Sequence, residues 1–214
     1  GSNDRHEIIA FEHSFHGRTM GALSVTGTEH YRTPFEPLVP GVKFATYNDI
    51  DSVLTLVNDN TCAIILEALQ GEGGIFPATE EFISGLKKLQ QEKDILLIFD
   101  EVQCGVGRLG TLFAYQSYGV VPDTVSLAKG IAGGIPCGIM MASDRVAEYF
   151  NPGDHASTFG GNPLATAAAN VVVDELLGGL LDNVKENGAY LTQRLNELKE
   201  KHSVITDVRG IGFM

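Results

Sequence analysis

Cysteine is scarce in this chain: Cys62, Cys104 and Cys137 are the only three in 214 residues. An odd number without zinc-ligand spacing argues against a disulfide framework and against a metal finger, so no metal site is expected. Thiols that stay reduced fit a cytoplasmic compartment. Basic residues are also few. Fifteen Lys and Arg stand against 27 Asp and Glu, a formal charge of -12. Such a balance disfavours nucleic acid and anionic membrane surfaces as partners and reads as a solubility feature. Long apolar runs are missing as well. The most continuous stretch, Gly130 to Ala142, is short, glycine-rich and interrupted by Pro136, so no membrane span is expected. The chain opens with no charged-then-apolar leader and contains no internal repeat, low-complexity tract or Gly-Lys dipeptide.

What is present is ordinary globular composition, 43% hydrophobic and 20% charged, enough for one large domain or two small ones. Gly1-Ser2 reads as an expression scar. A strand begins almost at once, and the chain stops at Val208 to Met214 just after another strand-like run, which predicts a piece truncated at both ends. Buried strands are expected at Ile8 to Phe11, Cys62 to Leu66 and Ile95 to Phe99, with further strands at Thr124 to Leu127 and Ile139 to Ala142. Thr79 should cap a helix whose Phe82, Ile83, Leu86 and Leu89 recur at helical spacing. Pro163 to Leu177 and Leu180 to His202 read as two more helices. Strands alternating with helices predict an α/β fold. Composition shifts near Gly178, dividing the chain into a larger unit (3-178) and a segment where a second subdomain begins (179-214).

In open α/β sheets, ligands bind beyond the carboxyl ends of the strands. Glu67, Asp100 and Lys129 each follow a strand-like run. Asp100-Glu101 after five apolar residues resembles the metal-binding strand end of a P-loop ATPase, whose phosphate loop would then have to lie upstream. Gly105 to Gly110 matches the spacing of a dinucleotide fingerprint, but it does not open directly from the strand and reads as a loop. Lys129 lies among small residues that let a flat ligand approach the backbone. A lysine in an apolar setting can lose its proton and form a Schiff base. Alone it would be a surface lysine in a turn. With Asp100 able to meet a pyridinium nitrogen, the pair supplies the protein groups that pyridoxal phosphate needs.

Six motifs then occur in order: Ser14 to Thr19, Glu67 to Gly74, Asp100 to Gln103, Gly105 to Arg108, Ala128 to Gly130 and Thr158 to Pro163. Together they resemble the class III (ornithine-type) aminotransferases over about residues 7 to 214. Leu112 to Gln116 and Ser157 to Pro163 look most like the acetylornithine branch. The resemblance implies the large domain of a fold type I pyridoxal-phosphate enzyme, a mostly parallel sheet with helices on both faces. It implies transfer of the δ-amino group of N-acetylornithine to 2-oxoglutarate in arginine biosynthesis. Ornithine, succinylornithine and 4-aminobutyrate are the alternative donors.

By the same resemblance, Lys129 would bind the cofactor aldehyde and shuttle the proton, and Asp100 would keep the ring nitrogen protonated. Phe15 would stack on the ring, Gln103 would bond its phenolic oxygen, and Glu101 and Val102 would complete the cofactor side. Arg18 would grip a substrate carboxylate. Glu72 would switch by pairing with an arginine of a C-terminal domain. Thr158 would reach the cofactor phosphate of a neighbouring subunit and Ser157 its substrate, implying a homodimer with shared active sites. His16 is left between packing and function. Ala68 and Cys104 depart from the family's frequent proline and threonine. Taken one at a time, these residues have plainer roles: Phe15 a core aromatic, Arg18 a surface charge, Glu72 a loop acid, Gln103 a turn residue, and Ser157-Thr158 a helix approach. A non-catalytic interaction domain is the remaining alternative.

Overall fold

The computed structural model describes residues 4-214; Gly1-Ser2 lies outside the described residues. Its centre is a six-stranded sheet built from β1 (Glu7–Phe11), β2 (Val42–Ala45), β3 (Thr61–Leu66), β6 (Leu96–Asp100), β7 (Thr124–Leu127) and β8 (Ile139–Ala142). The spatial order is β2-β1-β3-β6-β7-β8. All neighbours are parallel except β7 and β8. Between β3 and β6, a small antiparallel pair, β4 (Leu69–Gln70) and β5 (Phe76–Pro77), forms a separate hairpin. The expected α/β architecture with a mostly parallel sheet is therefore the one observed.

Burial explains why these strands form. Ile9 and Phe11 of β1, Ile64 and Leu66 of β3 and Leu97 and Phe99 of β6 are all at most 1% exposed. Strands covered this completely carry apolar side chains with little alternation, as a covered parallel sheet demands. Helix α1 (Met20–Ser24) and α2 (Glu29–Arg32) are single turns in the loop after β1. Helix α3 (Ile50–Leu56) starts at Asp49, whose side chain accepts a hydrogen bond from Ser52 N. Helix α4 (Glu80–Lys93) is capped by Thr79 and buries the four expected residues, Phe82, Ile83, Leu86 and Leu89. Phe11 meets Phe82 edge-on at 5.2 Å, which fastens α4 to the sheet.

After the short α5 (Asp144–Ala147), helix α6 (Pro163–Glu175) is capped by Asn162 and joins α7 (Leu181–Lys201) through one wide turn, Leu176–Leu180. Gly179 takes φ 129° there, a conformation that favours glycine, so the two helices are kinked at the compositional shift. The strand-like run expected near the C-terminus is not a strand. Residues 202-214 are mostly irregular and fold back on the sheet unit, with Phe213 N donating to Arg108 O. Gly188 permits this return, since a Cβ there would sit 2.7 Å from the Gly212 backbone.

One result differs from the membrane expectation. The helical run Pro163–Lys201 contains an 18-residue window with mean hydropathy 1.5, apolar and long enough to cross a membrane, and only 17% of that window is buried.

Candidate active site

Topology alone brings the strand-end residues together. Because β1, β3, β6 and β7 run parallel, the loops after Phe11, Leu66, Asp100 and Leu127 leave the sheet at one edge. That edge receives His16, Glu67, Asp100 and Lys129 from four separate stretches of sequence.

Asp100 is the centre. It is 5% exposed, and both its carboxyl oxygens have partners. Its Oδ1 accepts from Val102 N at 3.0 Å and from Ser126 Oγ at 3.1 Å. Its Oδ2 lies 2.7 Å from His16 Nδ1. His16 is itself buried, its side chain 2% exposed, and its Nε2 has no partner among the described residues. The loop that delivers His16 is tied down at Ser14, whose Oγ accepts from Gly27 N, and at Thr26, whose Oγ1 accepts from His16 N.

Lys129 follows β7 and points its Nζ to Gln103 Oε1 at 3.1 Å. Its backbone sits at φ 48°, a region that a residue with a Cβ enters at a cost. His13, Ile75 and Val106 share this strain, and for β-branched Ile75 and Val106 it is a marked departure. All three belong to loops that border this edge. The side chain of Lys129 is exposed, at the mouth of a cleft of about 360 Å³ lined by Val102, Gln103, Val106 and Met214. The apolar setting expected for it is not formed by the described residues.

Glu101 faces elsewhere. It is fully buried, and its two carboxylate oxygens accept from Ala114 N and Tyr115 N, each at 2.7 Å. Burial pushes its carboxyl up to about 7 against those two bonds. Phe15 meets Tyr31 edge-on at 5.8 Å, and the Arg18 guanidinium lies 3.8 Å from the Tyr31 ring centroid and 5.3 Å from that of Phe15. Tyr31 was not singled out in the sequence; an aromatic thirteen residues beyond Arg18 gives no local signal.

Glu67 emerges as a site residue beyond its place at a strand end. It is 4% exposed, and its carboxylate accepts from Phe15 N at 3.2 Å and Gly71 N at 3.4 Å. It thereby joins the loop of Phe15 to the turn that carries Glu72. That turn presses on Gln103: a Cβ at Gly71 would fall 2.5 Å from the Gln103 side chain, whose amide end would have to move. Glu72 itself is exposed. Arg209, from the returning C-terminal segment, donates to Gly74 O at 2.9 Å and lies over the Phe76 ring. Ser157 and Thr158 are exposed in the approach to α6, and no hydrogen bond or ion pair joins them to Asp100 or Lys129 among the described residues.

A family model, aminotransferase class III, matches residues 1–214. The chain belongs to the class III aminotransferases. Among similar class III members, acetylornithine aminotransferase of Clostridium acetobutylicum is 51% identical over 216 residues, covering all of this chain and 56% of that protein. Succinylornithine transaminase of Salmonella newport is 44% identical over 99% of this chain and 52% of its own length. The chain spans about half the length of the curated relatives it matches. Among solved structures, ornithine aminotransferase of Toxoplasma gondii ME49 superposes with a TM-score of 0.93 at 33% identity, covering 99% of this chain and 51% of that one. N-acetylornithine aminotransferase of Stenotrophomonas maltophilia gives 0.79 at 35% identity, with 99% and 50% coverage.

Proposed function

We propose that this class III chain carries the catalytic lysine and ring-binding carboxylate of a pyridoxal-phosphate-dependent enzyme that moves the δ-amino group of N-acetylornithine to 2-oxoglutarate. The observation that carries this reading is the pairing of a buried Asp100 on β6 with Lys129 immediately beyond the neighbouring β7. These residues suit the cofactor. Asp100 presents its carboxyl group at the strand end, and a carboxylate at that place is what a protonated ring nitrogen requires. Bound here, pyridoxal phosphate would supply an aldehyde for Lys129 and a ring that accepts electrons from a carbon losing its proton.

The protein's part is positioning and proton transfer. Asp100 would meet the ring nitrogen, and its own orientation is set by Ser126, Val102 N and His16. Lys129 Nζ, now in contact with Gln103, would hold the aldehyde and act as the acid and base that moves the substrate proton. Gln103 would bond the phenolic oxygen, and Phe15 would stack on the ring. Arg18, held as a flat fork over Tyr31, offers paired N–H groups to a substrate carboxylate. Glu101 and Val102 act from behind, through the fold of the Asp100 loop.

Glu72 would be released or engaged by an arginine of a C-terminal domain, into which residues 179-214 lead. Thr158 and Ser157 would serve the active site of a second copy in a homodimer, which agrees with their exposure away from Asp100. The exposed apolar side chains Phe159, Leu164, Val171 and Leu177 support such a partner. The cytoplasm and arginine biosynthesis are the setting this donor implies. The similarity to the Salmonella enzyme makes succinylornithine the second donor to compare.

The deciding experiment is intact mass after pyridoxal phosphate and borohydride, followed by peptide mapping, on the full-length protein. We expect one adduct, on Lys129, absent in Lys129→Ala. Scattered adducts on surface lysines, or none, would overturn the assignment. Comparing N-acetylornithine, succinylornithine and ornithine as donors then selects the substrate.

A further inference from the structure

Behind the edge that would receive the ring, three ionisable side chains share one solvent-poor space. Asp100 and His16 are in contact at 2.7 Å. Glu67 is near enough to feel both electrostatically: His16 lowers its carboxyl and Asp100 raises it. Asp100 and Glu67 are 5% and 4% exposed, and the His16 side chain is 2% exposed. Two carboxyl groups that share one solvent-poor space repel each other when both are ionised. The remaining neighbours do not relieve this. Tyr47, whose OH donates to the Glu67 carbonyl, and Cys104 are both held above their ordinary ranges by burial and stay neutral near pH 7. Glu101, next to Asp100, is committed to Ala114 and Tyr115.

Resting on the aminotransferase reading above, we infer that Glu67 is the proton reservoir of this cluster, protonated in the cofactor-free protein and ionised when a cationic ring binds at Asp100. The balance is simple. The O–H bond of the Glu67 carboxyl breaks, its electron pair stays on the carboxylate, and the proton passes to water. The arriving ring cation restores the charge that the departing proton removes. Desolvation sets the resting state, pushing Glu67 up to about 7.

The geometry gives this proton a task. Glu67 accepts from Phe15 N and Gly71 N, and an ionised acceptor binds N–H more strongly than a neutral one. Ionisation on ring binding therefore tightens the Phe15 loop and the Gly71 turn together. Glu67 is a positioning residue that links an occupied cofactor site to an ordered Glu72 turn.

Infrared difference spectroscopy on the full-length protein tests this, before and after adding pyridoxal phosphate at about pH 6. We expect a carboxylic acid band in the cofactor-free protein that shifts on labelling with ¹³C-glutamate and is missing in Glu67→Gln. It should vanish on adding the cofactor at constant pH. Exchange of the Phe15 and Gly71 amides should slow on cofactor addition in the wild type and not in Glu67→Gln. If Glu67→Gln fails to fold, Glu67→Asp serves, and the cofactor-sensitive band must then lose its response to the ¹³C-glutamate label. A band that survives while the Lys129 adduct forms would overturn the inference and leave the aminotransferase reading intact. No such band without cofactor would do the same. Absence of the Lys129 adduct would overturn both.

Discussion

Glu101 has both oxygens satisfied by backbone amides and yet lies where water cannot reach it. Burial raises it, as it raises Glu67, to about 7 from an ordinary 4.5. For an acid raised on folding, the native state holds more protons than the unfolded chain between those two values. Stability of the cofactor-free protein therefore falls as pH rises from about 4.5 to about 7, and is level above that. Each group accounts for up to about 3 kcal/mol of the loss. Urea denaturation at pH 5 and pH 8 should show it, and Glu101→Gln should flatten roughly half of the slope. The replacement forfeits about 1 kcal/mol of hydrogen bonding at every pH, because an amide side chain offers a single acceptor. The sequence marks Asp100-Glu101 only as a pair at a strand end; that the two carboxylates face different surroundings follows from the turn at Ala114–Tyr118 packing beneath one of them.

At the level of elements, legibility followed burial. Helix α4 was readable because four apolar residues recur along one face and a threonine caps it, and each of those residues is buried as expected. Strand β2 and helix α3 were not singled out. Val42 to Phe44 are only half-buried, and α3 buries one residue, Val53, so neither gives an apolar signature. Such a helix leans on its cap. Asp49→Ala should lower stability by about 1 kcal/mol by removing the bond to Ser52 N. Leu86→Ala in α4, at a site fully closed to solvent, should cost about 2–5 kcal/mol. Chemical denaturation of the two variants side by side checks the ranking. A larger loss at Asp49 would mean that α4 is not the principal helix of the core.

The whole molecule presents an apolar helix outward. In α6, Leu164 and Val171 are 67% and 61% exposed, and Leu177 in the turn that follows is 64% exposed. Burying such side chains against a second copy would recover about 1.5–3 kcal/mol apiece. Val171→Asp should shift the full-length protein from dimer to monomer in sedimentation at micromolar concentration, while the Lys129 adduct with pyridoxal phosphate still forms. A wild type that sediments as a monomer would remove the case for shared sites. Co-flotation with vesicles, lost in the same variant, would instead assign the apolar window to a membrane surface.

Local chemistry determined much of this protein in advance. Continuous apolar runs specified the buried strands, because side chains with nowhere polar to go must line a covered sheet. The polar residues that end those runs named Glu67, Asp100 and Lys129, since a charge beside a core strand stands out against its neighbours. What each residue meets was decided only by the tertiary structure. The contact of His16 with Asp100 joins positions 84 residues apart, and the bond from Phe15 N to Glu67 spans 52. Neither leaves a periodic trace, because both depend on the order in which parallel strands lie side by side. The same holds for Arg209 at Gly74, where a chain end returns across 135 residues to a turn it gives no local sign of knowing. Pattern along the chain reports what must be buried; only strand order and loop geometry settle which buried charges share a space.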